Sequence, residues 1–302
     1  MLKDFKDKIA VITGAASGLG LEIARVAASR GMHVVLVDIN PYALDKAGKE
    51  LTQEYDIELL KQETDVSNIE QVQALASTVK THFGVPHLLF NNAGVESGGL
   101  VWEVGQIEWL KIVGVDLWGV INGIRTFVPQ MLAMANHTPH YQGHIINTAS
   151  LAGFVPLPLM GTHSAAKAAV VKLTESLYYD LSLTTQQLGV SLVCPDFITT
   201  EPIPDQEDFP SELEALTVSQ QLARDIRHDL ARQSTGTLFG LAAAVFDAIA
   251  HNEFYVFASQ RDQHVLEAYW KGIHSHKHPI HSGFAPHVLA HLKKRLEAKY
   301  QL

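Results

Sequence analysis

Cysteine is nearly missing from this chain: among 302 residues there is one, Cys194. A disulfide within the chain is therefore excluded, and a reducing, cytoplasmic compartment is expected. Basic residues are in the minority, 23 Lys and Arg against 32 Asp and Glu, for a formal net charge of −9. With no long basic run either, no nucleic-acid partner is expected. No apolar stretch approaches about 18 residues, so no membrane span is expected. Met1 to Lys8 alternates charged with apolar residues and lacks the apolar core of a signal peptide. Internal repeats and breaks in composition are also missing, which argues against a second domain. What is present is a hydrophobic share of 47%, sufficient for a substantial core.

The most informative stretch runs from Lys8 to Arg25. Ile9 to Ile12 is a short apolar burst that predicts a buried strand. Thr13 and Gly14 end it, and Gly18 and Gly20 open a helical pattern with Leu21, Ala24 and Ala28 on one face. A strand, a glycine turn and a helix start together suit a pyrophosphate, because the helix end offers free N–H groups and the positive end of its dipole. The spacing, Gly14-x3-Gly18-x-Gly20, is not the commoner G-x-G-x-x-G, and taken alone it also fits an ordinary glycine-rich turn. His33 to Asp38 predicts a second buried strand with an acid at its carboxyl end, 18 residues after Gly20. An acid there accepts hydrogen bonds from adenosine ribose hydroxyls and repels a 2′-phosphate, which selects NAD over NADP. Pro41 is better placed than Asp38 to open the next helix.

Further along, a charged, solvent-facing helix is expected over 41–54, a strand over 58–62, and a helix capped by Ser67 or Asn68 running to His82. A strand at Leu88–Phe90 ends in Asn91-Asn92-Ala93-Gly94, whose small residues and amides suit close approach of a flat ligand. One or two helices are expected over 106–134, a strand from His144 delivering Ser150, a long helix over 162–186 and a strand at Val190–Cys194. Residues 237–250 predict an apolar helix and 253–259 a last strand. Alternating strands and helices imply the α/β class: a single Rossmann-like, doubly wound parallel sheet with helices on both faces. One domain is expected over 1–302, with its core at 5–260. Residues 201–235 read as a lid too polar for a core, and 261–302 as a C-terminal extension.

Thr13-Gly-x3-Gly-x-Gly20, Asp65-Val66, Asn91-Asn-Ala-Gly94, Ser150 and Lys167, in this order, resemble the classical short-chain dehydrogenase/reductase family over about residues 5–260. The resemblance implies hydride transfer between a nicotinamide and a carbinol or carbonyl carbon, commonly in a homotetramer. Carried over by position, it implies that Gly14, Ser17, Gly18, Leu19 and Gly20 hold the pyrophosphate and Asp38 the ribose. Asp65 and Val66 would flank adenine, and Asn92, Ala93 and Gly94 would line the nicotinamide side. Ile198 and Thr200 would meet the carboxamide, and Lys167 would grip the nicotinamide ribose. Ser150 would polarise the substrate oxygen.

Three positions depart from the family pattern, all beside the chemistry. His163 stands where the proton-transferring Tyr is expected, Asp116 where an Asn is expected, and Asp196 where a Gly is expected. His163 and Lys167 lie four apart and share a helical face. Imidazole can shuttle a proton near neutrality, and a neighbouring carboxylate would fix its tautomer. The expectation is an NAD-dependent oxidoreductase acting on a secondary alcohol or ketone, with Ser150, His163, Lys167 and Asp116 as its catalytic set. Two alternatives stand beside it: an NAD-binding protein with little or no turnover, as a scaffold, a sensor or a variant inactivated by substitution at position 163, and a non-redox lyase or isomerase.

Phe154-Val-Pro-Leu-Pro-Leu-Met160, with Val95, Phe197 and Ile203, is expected to wall an apolar substrate pocket. His274-x-His276-x-His278-x-x-His281 does not have the spacing of a zinc site and reads as a polar loop, so no metal is expected. Helices are expected over 264–273 and 285–300, with Val265, Tyr269 and Trp270, and Val288, Leu292 and Leu296, on their apolar faces. Either this protein's own surface or a partner subunit could cover them. Lys293, Lys294 and Arg295 read as a solvated face.

Overall fold

The computed structural model describes residues 2–196, 216–232, 236–276, 278–279 and 286–300. Its centre is one sheet of seven parallel strands in the order β3-β2-β1-β4-β5-β6-β7. In chain order these are β1 (Ile9–Thr13), β2 (His33–Asp38), β3 (Leu59–Glu63), β4 (Leu88–Asn91), β5 (Gly143–Thr148), β6 (Leu188–Cys194) and β7 (Tyr255–Phe257). β1, β4 and β5 are buried along their whole length in a sheet covered on both faces, β5 including the polar His144, Asn147 and Thr148. The chain winds outward from β1 to β3 and then returns to place β4 beside β1. That reversal opens a crevice at the carboxyl ends of β1 and β4, where a doubly wound sheet receives ligands.

Helices α1 (Gly18–Ser29), α2 (Pro41–Glu54) and α8 (Leu238–His251) cover one face; Ile23, Leu44, Phe90 and Phe246 belong to that core. The other face is covered by α3 (Ile69–His82), α5 (Gly119–His137) and α6 (Gly161–Thr184), with Leu75, Phe127, Met131 and Leu177 buried there. Asn40, not Asp38, caps α2, its side chain accepting from Tyr42 and Ala43 N–H. Asn68, rather than Ser67, caps α3. α2 is also less solvent-facing than its charges suggest, since Leu44, Ala47, Gly48 and Leu51 are buried.

Residues 106–134, expected as one or two helices, form three segments: α4 (Gln106–Ile112), a π-helical turn (Val113–Trp118) and α5. The lid segment also differs from expectation. α7 (Val218–Arg232) buries Leu222, Ala223 and Ile226 against Leu159 and Leu292, so it carries a small core of its own despite its many charges. Leu292 and its neighbours Leu289 and Leu296 belong to α10 (Pro286–Tyr300). Lys293, Lys294 and Arg295 are exposed, with Arg295 bonded to Asp225 of α7. Trp270, on α9 (Gln260–His274), is largely exposed.

The amino edge of the sheet holds histidines without charge. His87, before β4, accepts the Ile9 N–H through Nδ1, and burial lowers its pKa to about 4. His144, in β5, lies 2.8 Å from Ser191 Oγ, and burial lowers its pKa to about 3. In the unfolded chain both protonate near pH ~6.5. A depressed histidine pKa means the unfolded state binds the proton first, so stability is intact above about pH 6.5 and falls as pH drops toward 4. Urea denaturation should show that loss between pH 7.5 and 5. His87→Gln, which keeps an acceptor for Ile9, should reduce it by about 1–2 kcal/mol. An unchanged slope would mean the loss arises elsewhere.

Candidate functional site

The carboxyl ends of β1, β4 and β5 are stitched together by two side chains. Thr13 Oγ1 donates to the Phe90 carbonyl at 3.1 Å and accepts from the N–H groups of Asn92 (2.9 Å) and Ala93 (3.0 Å). Asn92 Nδ2 donates to the Thr13 carbonyl, and its Oδ1 accepts from Thr148 Oγ1. The glycine turn packs on this seam. Gly14 and Gly18 have φ of +65° and +54°, a region side chains resist. A Cβ on Gly20 would stand 2.0 Å from the Gly14 carbonyl, and one on Gly14 would stand 2.8 Å from Ala93 Cα.

α1 then starts with no side-chain cap from Ser17 and no acid in its first turn. Its N-terminal N–H groups and positive dipole end are left for an anion. Asp38 braces the same turn: Oδ2 accepts from Ala16 N–H and Oδ1 from Asn40 N–H, each at 3.1 Å. A carboxylate offers about four acceptor positions, so two remain for ligand hydroxyls. Asp65 Oδ1 accepts from the Ser67 N–H and hydroxyl, and Val66 packs where α5 begins at Gly119. Asn122 Nδ2 holds the Val66 carbonyl at 2.9 Å. A cradle that excludes Cβ atoms, an uncapped helix start and a braced acid fit a dinucleotide.

Beside this cradle lies a buried charged group. Asp116, in the π-helical turn, is 0% exposed, Lys167 4% and His163 7%. Asp116 Oδ1 accepts the Val95 N–H at 2.8 Å. Its Oδ2 lies 3.3 Å from Lys167 Nζ and 3.5 Å from His163 Nδ1. Lys167 Nζ also donates to the Thr148 carbonyl at 3.2 Å. Burial alone would raise the carboxyl pKa of Asp116, but Lys167, His163 and the Val95 N–H outweigh it and hold the group below its ordinary value. Neither Asp116 Oδ2 nor His163 Nδ1 has a hydrogen-bond partner of good geometry among the described residues. Gly94 closes over the group; a Cβ there would be 3.4 Å from Lys167 Nζ and 3.5 Å from Asp116 Oδ1.

Ser150 lies two residues past the end of β5 and caps a short 3₁₀ turn, accepting from Ala152 N–H. That turn presses on α6, where a Cβ on Gly153 would meet the Lys167 carbonyl at 2.8 Å. Asp196 follows β6, and its field acts on the buried Asp262, whose pKa burial raises first and Asp196 second. In the expected pocket wall, Leu159 packs against α7 while Phe154 turns away toward Phe257. α7 is bonded to α4 through Gln220 to Glu108 at 2.8 Å, and to the loop before α4 through Leu100 N–H to Ser219 Oγ at 3.1 Å and the Arg227–Glu96 pair. Phe197, Ile198, Thr200, Ile203, lid residues 201–215 and 233–235, and His281 lie outside the described residues. Thr13, Thr148 and Asn122 are absent from the expected site. Their signal is a polar residue inside an apolar strand or helix run.

Residues 8–208 match the short chain dehydrogenase family. This chain belongs to that family. Among solved structures, this short chain dehydrogenase is similar to a short chain dehydrogenase/reductase from Burkholderia phymatum in complex with NAD. The two are 38% identical, with 92% of this chain and 98% of that chain covered and a TM-score of 0.86. The CLA biosynthesis dehydrogenase/reductase of Lactiplantibacillus plantarum is 31% identical over 276 residues, 88% of this chain and 93% of its own. The C alpha-dehydrogenase of Sphingobium sp. (strain NBRC 103272 / SYK-6) is 39% identical over 195 residues, 64% of this chain and 61% of its own. No helix among the described residues of this dehydrogenase is long and apolar enough to cross a membrane.

Removing one partner of a buried pair leaves the other uncompensated. Asp116→Ala should therefore cost about 3 kcal/mol in urea denaturation at pH 7.5. Asp116→Asn, which keeps an acceptor for Val95, should cost less. Equal, small losses would show that the pair does not hold the fold together here.

Proposed function

We propose that this dehydrogenase is an NAD-dependent oxidoreductase interconverting a secondary alcohol and a ketone on a largely apolar substrate, with His163 as its acid/base. The observation that carries this reading is the buried His163–Asp116–Lys167 group lying directly beside the glycine cradle. When bound, the cofactor supplies or accepts a hydride at its nicotinamide ring. Gly14, Ser17, Gly18, Leu19 and Gly20 would hold its pyrophosphate, Asp38 its adenosine ribose, and Asp65 and Val66 its adenine. Asn92, Ala93 and Gly94 would line the nicotinamide side, Lys167 would grip that ribose, and Ile198 and Thr200 would meet the carboxamide. The NAD complex of the Burkholderia phymatum relative supports the choice of cofactor.

In oxidation, Ser150 Oγ donates to the substrate oxygen and His163 removes its hydroxyl proton as the hydride leaves the carbinol carbon. In reduction the same imidazole returns the proton. Asp116 faces the ring and favours the tautomer with a proton on Nδ1, leaving the other nitrogen as the base. Val95, Leu157, Leu159 and Met160 give the pocket an apolar wall. One domain over 1–302, a substrate lid around α7, a dimer or tetramer, and a cytoplasmic location suited to the lone buried Cys194 complete the proposal.

Titration with NAD and NADP, then turnover of apolar secondary alcohols and ketones from pH 5 to 10, tests it. His163→Gln should lower kcat by about 100-fold or more while NAD affinity is kept. Asp38→Ala should erase the preference for NAD over NADP. Tight NAD binding without turnover by the parent protein would overturn the oxidoreductase reading and leave a cofactor-binding protein.

A further inference from the structure

We propose that His163 and Asp116 are a matched exchange: the Asp116 carboxylate neutralises Lys167 so that position 163 can work through a cation-forming imidazole instead of an anion-forming phenol. Asp116 is on this view a positioning residue that sets the charge of the site. The proposal deepens the reading above, since it takes position 163 as the acid/base.

The geometry is specific. A single oxygen, Asp116 Oδ2, faces both Lys167 Nζ at 3.3 Å and His163 Nδ1 at 3.5 Å. The second oxygen is committed to Val95 N–H. Among the described residues, the other acceptor for Lys167 Nζ is a neutral carbonyl, that of Thr148. Asp116 therefore supplies the negative charge that balances the ammonium. His163 also sits in the first turn of α6, where the helix dipole is positive and no side chain caps the N-terminus.

With a neutral residue at 116, Lys167 and the helix end would together make position 163 strongly positive. Such a field favours a group whose charged form is an anion and opposes one whose charged form is a cation. A phenol would gain from it and an imidazole would lose. The carboxylate cancels the ammonium and so removes most of both effects. Among the described residues of the surrounding elements, Glu96 and Arg227, on the turn after β4 and on α7, pair with each other, and Glu108 of α4 bonds to Ser97 and Gln220. Asp116 and Lys167 are the charged pair described facing His163.

The test introduces a phenol and reads its ionisation without substrate or cofactor. Ultraviolet difference absorbance of H163Y is taken against the parent protein, and that of H163Y/D116N against D116N. The introduced phenol should ionise at a pH lower by about one or more in H163Y/D116N than in H163Y, a tenfold change in proton affinity. Equal midpoints, or a higher midpoint in the double variant, would overturn the proposal. Should H163Y/D116N not fold, H163Y/K167M replaces it. Loss of the ammonium should then raise the midpoint, and an unchanged midpoint overturns the proposal.

Turnover adds a second arm. D116N should lower kcat in the histidine background and raise it in the H163Y background, an opposite sign that a merely structural role would not produce. Effects of the same sign in both backgrounds would overturn the proposal. If the parent protein has no turnover, the function proposed above fails while the absorbance measurement still decides this one.

Discussion

Asp116 Oδ2 is where two neighbouring helical segments at the carboxyl edge of the sheet are tied together. It comes from the π-helical turn before α5, and its partners His163 and Lys167 come from the first two turns of α6. A carboxylate this deeply buried is costly to desolvate, and the cost is offset only when its lone pairs and its charge are both met. Val95 N–H meets the first need and Lys167 the second. The turn after β4, the π-helical turn and α6 are thereby held in one arrangement. Movement of any of the three strands a buried charge. The constraint also explains the local helix geometry. A π-turn adds a residue to the helical turn, and such insertions recur at functional sites. Here it lets Asp116 reach the group while Ile112 before it and Val120 after it both stay buried.

The rest of the edge is built mainly from backbone. Thr13 and Asn92 join the ends of β1 and β4 through four hydrogen bonds to main-chain atoms or from main-chain N–H groups, and Thr148 adds the end of β5. Gly14 and Gly20 are required by contact with the Gly14 carbonyl and the Asn92–Ala93 turn. The cradle's shape thus depends on small residues and main-chain polarity, with one acid, Asp38, bracing its far end through Ala16. The crevice falls at the β1–β4 reversal because only there do neighbouring connections depart to opposite faces of the sheet.

What could be read in the sequence follows from range. The strands and most helices were legible because their signals are local: Ile9–Ile12 as an apolar burst and Pro41 as a helix start. The glycine turn and Asp38 were legible because their spacing is itself the motif. The small core that α7 forms was not. Leu222 and Ile226 sit among charges, and what buries them is Leu292, some seventy residues away in sequence. The π-helical turn was hidden as well, since Val113–Trp118 carries no pattern that separates it from an α-helix. The stitching by Thr13 and Asn92 links residues 79 apart in the chain. Local periodicity does not report such pairs; a threonine closing an apolar strand is their only trace.

The two halves of the edge differ in what they can tolerate. In the cradle nearly every contact is steric or main-chain, so a changed side chain either collides or has nothing to replace. In the group around Lys167 the contacts are between charges. A charge can be exchanged for another arrangement of the same total, provided a second residue changes with it. His163 and Lys167 lie within reach of one Asp116 oxygen, so changes at 116 and 163 can compensate each other without disturbing Gly14, Gly20 or Thr13. A change at 163 alone would have to work in the field that Asp116 and Lys167 set.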